Sequence, residues 1–117
     1  MTVEKTIADV LAHVEKLKKQ KADLLKLTSS IDKQINDHYH IIELVSLNAS
    51  QLSKVTKSLK DLLKQRREAK ENLNAVSNFL SGNLENAKTP ETMKKNANDR
   101  ENKYRAEAVL AFNAMFK

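Results

Sequence analysis

The chain has 117 residues and a formal net charge of +6, with one glycine, one proline, no cysteine and no tryptophan. That length suits a single domain with a modest core. The missing cysteines exclude disulfides and thiolate metal sites, and the scarcity of Gly and Pro excludes a turn-rich β fold. Only five residues are Phe or Tyr, so aliphatic side chains must build the core. The positive balance permits nucleic acid, an anionic membrane surface or an acidic protein as partner, and selects none of them.

From Val3 onward the sequence steps alternately by four and three through Val3, Ile7, Val10, Val14, Leu17, Lys21, Leu24, Thr28, Ile31, Ile35, His38, Ile42 and Val45. Ten of these thirteen positions are apolar, and a 3.5-residue period marks a helix packed along a seam. Residues 3–47 therefore read as one long helix of roughly 65 Å at ~1.5 Å per residue. Leu11 and Leu25 flank the seam on one side, Leu27 and Ile41 on the other. Apolar residues on both flanks imply burial against two neighbours, as in a bundle of three or more helices. Thr28-Ser29-Ser30 is the weakest point, because hydroxyl side chains compete for backbone hydrogen bonds. A bend there is the alternative to a continuous helix.

Near Ser46–Gln51 the register changes. The seam beyond runs through Leu52, Val55, Leu59, Leu62, Arg66, Ala69, Leu73, Val76 and Leu80. A continuous helix would have to absorb two three-residue steps in succession, a local overwinding. The polar, cap-forming residues of Ser46-Leu47-Asn48-Ala49-Ser50 suit a turn instead. Residues 1–80 then form an antiparallel hairpin with helices at about 3–47 and 51–81. Lys21 and Arg66 occupy matching seam positions. Each either snorkels outward on a packed stem or pairs with a carboxylate across the seam.

Ser81-Gly82-Asn83 ends the second helix, since Gly82 tolerates the positive φ of a helix C-terminus. A polar connection over 81–89 follows. Thr89 reads as an N-cap, Pro90 as the first residue of the next helix, and Glu91 complements its dipole. The last segment, 90–117, is an amphipathic helix, polar first and apolar towards its end. The fold class is all-α: a long antiparallel helical hairpin, coiled-coil-like, with a third C-terminal helix.

Two surfaces are candidates for function. Tyr104, Phe112, Met115 and Phe116 gather in the final helix, where Ala108, Phe112 and Met115 share a face fit to enter a partner's groove. The same face would serve equally to close the chain's own bundle. The second candidate is a basic stripe of Lys54, Lys57, Lys60, Lys64 and Arg67, spaced by three and four residues and so on one outward face. Such a row can follow phosphates. It is also an ordinary solvated face, flanked by Asp61, Glu68 and Glu71 and without an aromatic to stack on bases.

Catalytic and metal chemistry find little support. His38 and His40, two apart, lie on opposite sides of a helix and cannot chelate one ion. His38 falls on the seam and reads as a packed core residue with one hydrogen bond. There is no glycine-rich phosphate loop, no cysteine nucleophile and no serine in a glycine elbow. No enzyme, cofactor or small-molecule substrate is expected. No stretch approaches the ~20 apolar residues of a membrane span, and residues 1–19 lack the apolar run of a signal peptide. The expected location is cytoplasmic, or exported without a cleavable signal peptide.

In outline the chain is similar to small all-helical hairpins that act as bacterial secretion partners, including those of type VII secretion systems. It lacks their Trp-x-Gly at the turn, and Tyr104 is followed four residues later by Ala108 rather than by a carboxylate. The resemblance is one of shape class and carries no residues over. The sequence thus favours a non-enzymatic helical interaction module: an adaptor, a targeting or chaperone-like factor, or a structural subunit of a larger assembly. It would meet protein partners through helix packing, as a homo- or hetero-oligomer. The alternative is a nucleic-acid-binding accessory protein that uses the basic stripe.

Overall fold

A computed structural model describes residues 2–82 and 90–116. It contains three α-helices: α1 (Thr2–Leu44), α2 (Ala49–Leu80) and α3 (Pro90–Met115), with no strand among the described residues. Helices α1 and α2 pack against each other. The chain divides into two units, residues 1–82 and 83–117.

The first unit is the hairpin. Helix α1 continues unbroken through Thr28-Ser29-Ser30. The Thr28 hydroxyl donates to the Leu24 carbonyl at 2.8 Å, one turn back. This back-bonding satisfies the hydroxyl inside the helix, so the buried Thr28 needs no break. The turn follows Leu44. Asn48 caps α2 in extended conformation, its side chain accepting from the Gln51 backbone N–H at 2.8 Å. The Gln51 side-chain oxygen accepts in return from the Asn48 N–H at 3.1 Å. This reciprocal capping box satisfies two donors that a helix start leaves unpaired.

The core is a single strip. Ile31, Ile35, Leu59, Leu62 and Ala69 form its buried cluster, with Thr28 buried beside them. Two polar contacts fix the antiparallel register. Arg66 Nε donates to Asp32 Oδ1 at 2.6 Å, and His38 Nε2 lies 2.8 Å from Ser58 Oγ. This register sets Leu62 level with Ile35 and the small Ala69 level with Thr28. It also brings Leu80, the end of α2, level with Leu17.

The seam is covered on one side only. Against the expectation of two neighbours, the flanking Leu11, Leu25 and Leu27 are 60%, 51% and 48% exposed. One antiparallel helix covers a narrow strip, and α1 carries a wider one. The N-terminal seam residues Val3, Ile7 and Val10 are likewise more than half exposed.

Helix α2 ends where the sequence places its glycine. Ser81 N–H donates to the Ser77 carbonyl at 3.0 Å, and Gly82 N–H to Phe79 at 3.4 Å. Gly82 adopts φ +96°, a conformation that other L-residues avoid. The Thr89 cap lies outside the described residues. In the second unit, Pro90 is the first residue of α3.

Candidate functional site

On α3 most of the large apolar side chains lie along the C-terminal half. Tyr104, Phe112, Met115 and Phe116 are all exposed. Tyr104, Ala108, Phe112 and Met115 follow one face at helical spacing, and Phe116 lies beside it. The Phe112 and Phe116 rings meet in a tilted arrangement with centroids 4.8 Å apart, a geometry that edge-to-face attraction favours. These two rings are therefore brought together, while Tyr104 sits two turns earlier. Arg105 pairs with Glu101 at 3.0 Å, one turn back on the helix. Val109 and Leu110 are also exposed. Leu110 lies about half a turn from the aromatic face, on the opposite side of the helix, and so does not join that strip. Helical spacing does not reveal Leu110, which falls off the face shared by Tyr104, Phe112 and Met115.

The basic stripe on α2 is exposed throughout. Lys54, Lys57, Lys60 and Lys64 make no ion pair among the described residues. Arg67 differs, since it and Glu71 each have a partner. The stripe lies opposite the buried Leu59 and Leu62, because positions two and five residues from those leucines, such as Lys57 and Lys64, point away from the seam. Its lysines therefore project from the hairpin as parallel, hydrated charges.

Between the two helices a shallow, open groove of about 410 Å³ is lined by Asp32, Ile35, Asn36, Tyr39, Leu63 and Arg66. Its one cation, Arg66, is engaged by Asp32 across the seam. Of the two roles open to a seam arginine, snorkelling or pairing, Arg66 takes pairing. Lys21, the matching position on α1, is half-buried without an ion pair among the described residues.

His38 departs from the expected packed core residue with one hydrogen bond. It is half-exposed and both ring nitrogens are engaged: Nδ1 lies 2.7 Å from the Gln34 carbonyl oxygen and Nε2 2.8 Å from Ser58 Oγ. A carbonyl can only accept, so Nδ1 carries the proton and, in the neutral ring, Nε2 accepts from the serine hydroxyl. The imidazole thus ties α1 to α2 by a polar link at the rim of the core. Ser58 is the residue that the sequence did not flag, since nothing in a helical serine announces a partner twenty positions away.

Among the described residues no group of three His, Cys, Asp or Glu side chains is placed to hold a metal ion. No described helix is long and apolar enough to cross a membrane. No family model, curated protein or solved structure matches the chain.

Proposed function

We propose that this chain is a non-enzymatic helical protein–protein interaction module, an adaptor, targeting or chaperone-like factor or a structural subunit of a larger assembly. The observation that supports it is the exposed apolar surface at helical spacing. On α1, Val3, Ile7, Val10 and Leu11 are each more than half exposed, and on α3 so are Val109, Leu110, Phe112, Met115 and Phe116. Single exposed leucines are ordinary on a protein surface, whereas contiguous apolar runs mark contact sites. A helix bearing aromatic and methionine anchors on one face suits a partner's groove.

The test compares three forms of the protein purified from its native source: the full chain, a truncation after Asn102, and a variant with Lys57, Lys60, Lys64 and Arg67 changed to Glu. The expected result is a stoichiometric protein partner that the four-fold variant retains and the truncation loses, while the truncated hairpin remains helical by circular dichroism. A partner retained equally by the truncation would remove the α3 face from the account.

A second reading rests on Lys54, Lys57, Lys60 and Lys64, which are exposed and make no ion pair among the described residues. As a nucleic-acid-binding accessory, the protein would bind a generic duplex with an affinity that falls steeply with salt. Each neutralised phosphate contributes about −0.9 to the log–log slope. The four-fold Glu variant would lose that binding; duplex binding that survives it ends this reading.

A further inference from the structure

The first fourteen residues of α1 form a seam that outlasts its partner helix. Across the hairpin, the Arg66–Asp32 and His38–Ser58 contacts set the register, and α2 reaches only as far as Leu17. The heptad pattern does not stop there. Val14, Val10, Ile7 and Val3 continue it in the same register as Ile35, Ile31 and Leu24, and Val3, Ile7 and Val10 are 58%, 55% and 52% exposed. The surface is thus continuous with an interface that already exists, and its shape is set to receive an antiparallel helix in line with α2.

We propose that the occupant is the same stretch of a second copy of this chain, running antiparallel. This deepens the interaction-module reading above by naming one partner. Three observations favour a second copy. The stretch is its own antiparallel complement: pairing Val3 with the partner's Val14, and Ile7 with the partner's Val10, repeats by symmetry and makes every layer apolar. Such a two-fold, isologous contact is the commonest way that identical chains associate.

The flanks agree. Antiparallel pairing brings Glu4 towards the partner's Leu11 and Thr6 towards the partner's His13, so no like charges oppose each other at the rim. The overall charge also points here. Residues 2–14 carry Lys5 against Glu4 and Asp9, in a chain whose net charge is +6. Two copies repel least through this end.

The contact covers about twelve residues, or ~18 Å of helix. It is smaller than a standard interface of ~1,600 Å², so the dimer is weak and depends on concentration. Each α1 would fill the slot left beyond the other's α2, and the two seams would join end to end.

Sedimentation velocity on the full chain from low to high micromolar concentration tests the proposal. The mass should rise from 13.3 kDa towards twice that value. Val10→Asp should hold it at the monomer mass with unchanged helical circular dichroism, since position 10 lies beyond α2. Phe112→Asp should dimerise like the parent chain.

A parent chain that is monomeric throughout overturns the proposal, as does Val10→Asp dimerising equally well, or Phe112→Asp abolishing the dimer. A monomeric parent leaves the copurification test above standing, so the two failures are distinguishable. Nitroxide labels provide a check that does not depend on how Val10→Asp folds. Labels at Ala8 should lie near their counterparts, about one helix spacing of 8–10 Å apart before the label arms. Labels at Thr2 should be separated by a further axial offset of ~20 Å. Short distances at both positions would mean parallel pairing and refute the antiparallel contact.

Discussion

Arg66 Nε and Asp32 Oδ1, separated by 34 residues in sequence, meet at 2.6 Å across the α1–α2 seam. An arginine at a seam position costs apolar packing, and the pair offsets part of that cost while specifying register. Their side chains are 37% and 46% exposed, so water screens the attraction. A double-mutant cycle with Arg66→Met and Asp32→Asn should give a coupling of about 0.2–1 kcal/mol. The coupling should shrink between low and high salt. Urea unfolding of the four proteins measures it, and a coupling well above that range would mean the pair is drier than its exposure implies.

Ile31 is the most deeply buried side chain, at 2% exposure. Ile31→Ala should cost about 2–5 kcal/mol, from lost burial and the cavity left behind. Leu44→Ser, at a position 75% exposed, should stay within about 0.5 kcal/mol of the parent. Chemical denaturation of both variants compares them directly. Equal costs would mean that the strip of core described here is not what holds the hairpin.

The turn has its own signature. Asn48→Ala removes both the acceptor of the Gln51 N–H and the capping box. It should destabilise the hairpin by about 1 kcal/mol, with Asn48→Ser recovering most of the loss. The readout is the thermal midpoint of the far-ultraviolet signal.

At the other end of α2, Gly82→Ala forces a Cβ into φ +96°. No neighbouring atom lies within 4 Å of the added carbon, so the cost of about 1–2 kcal/mol is purely that of backbone conformation. Gly82→Asn should cost less, because asparagine tolerates this region better. If alanine and asparagine cost the same, steric contact rather than φ controls the site.

Much of this architecture was legible because a 3.5-residue period records which side of a helix is apolar. The register slip near Ser46–Gln51 located the turn, and Gly82 located the end of α2. What periodicity does not record is how far the partner extends. Leu11, Leu25 and Leu27 read as buried flanks, yet α2 leaves them exposed, since a hairpin supplies one neighbour. Polar links were harder still. His38 and Ser58, twenty residues apart, become partners only through the register of the two helices. Arg66 was ambiguous until the helix opposite placed Asp32 beside it. The aromatic face of α3 was plain from spacing alone, because Tyr104, Phe112 and Met115 lie on one helix and need no long-range contact to align.

The hairpin requires α1 and α2 to fold back on each other within one chain. The 117-residue chain lacks cysteine, so spin labels can be introduced cleanly at Gln20 and Asn78, two exposed positions that the register brings level. Double electron–electron resonance should show one short distance, set by a helix spacing of about 8–10 Å plus the label arms. That distance should persist when labelled protein is diluted with an excess of unlabelled chain. A single continuous helix would place the labels about 87 Å apart within one chain. Finding that long separation, or a short distance that vanishes on dilution, would contradict the intramolecular hairpin.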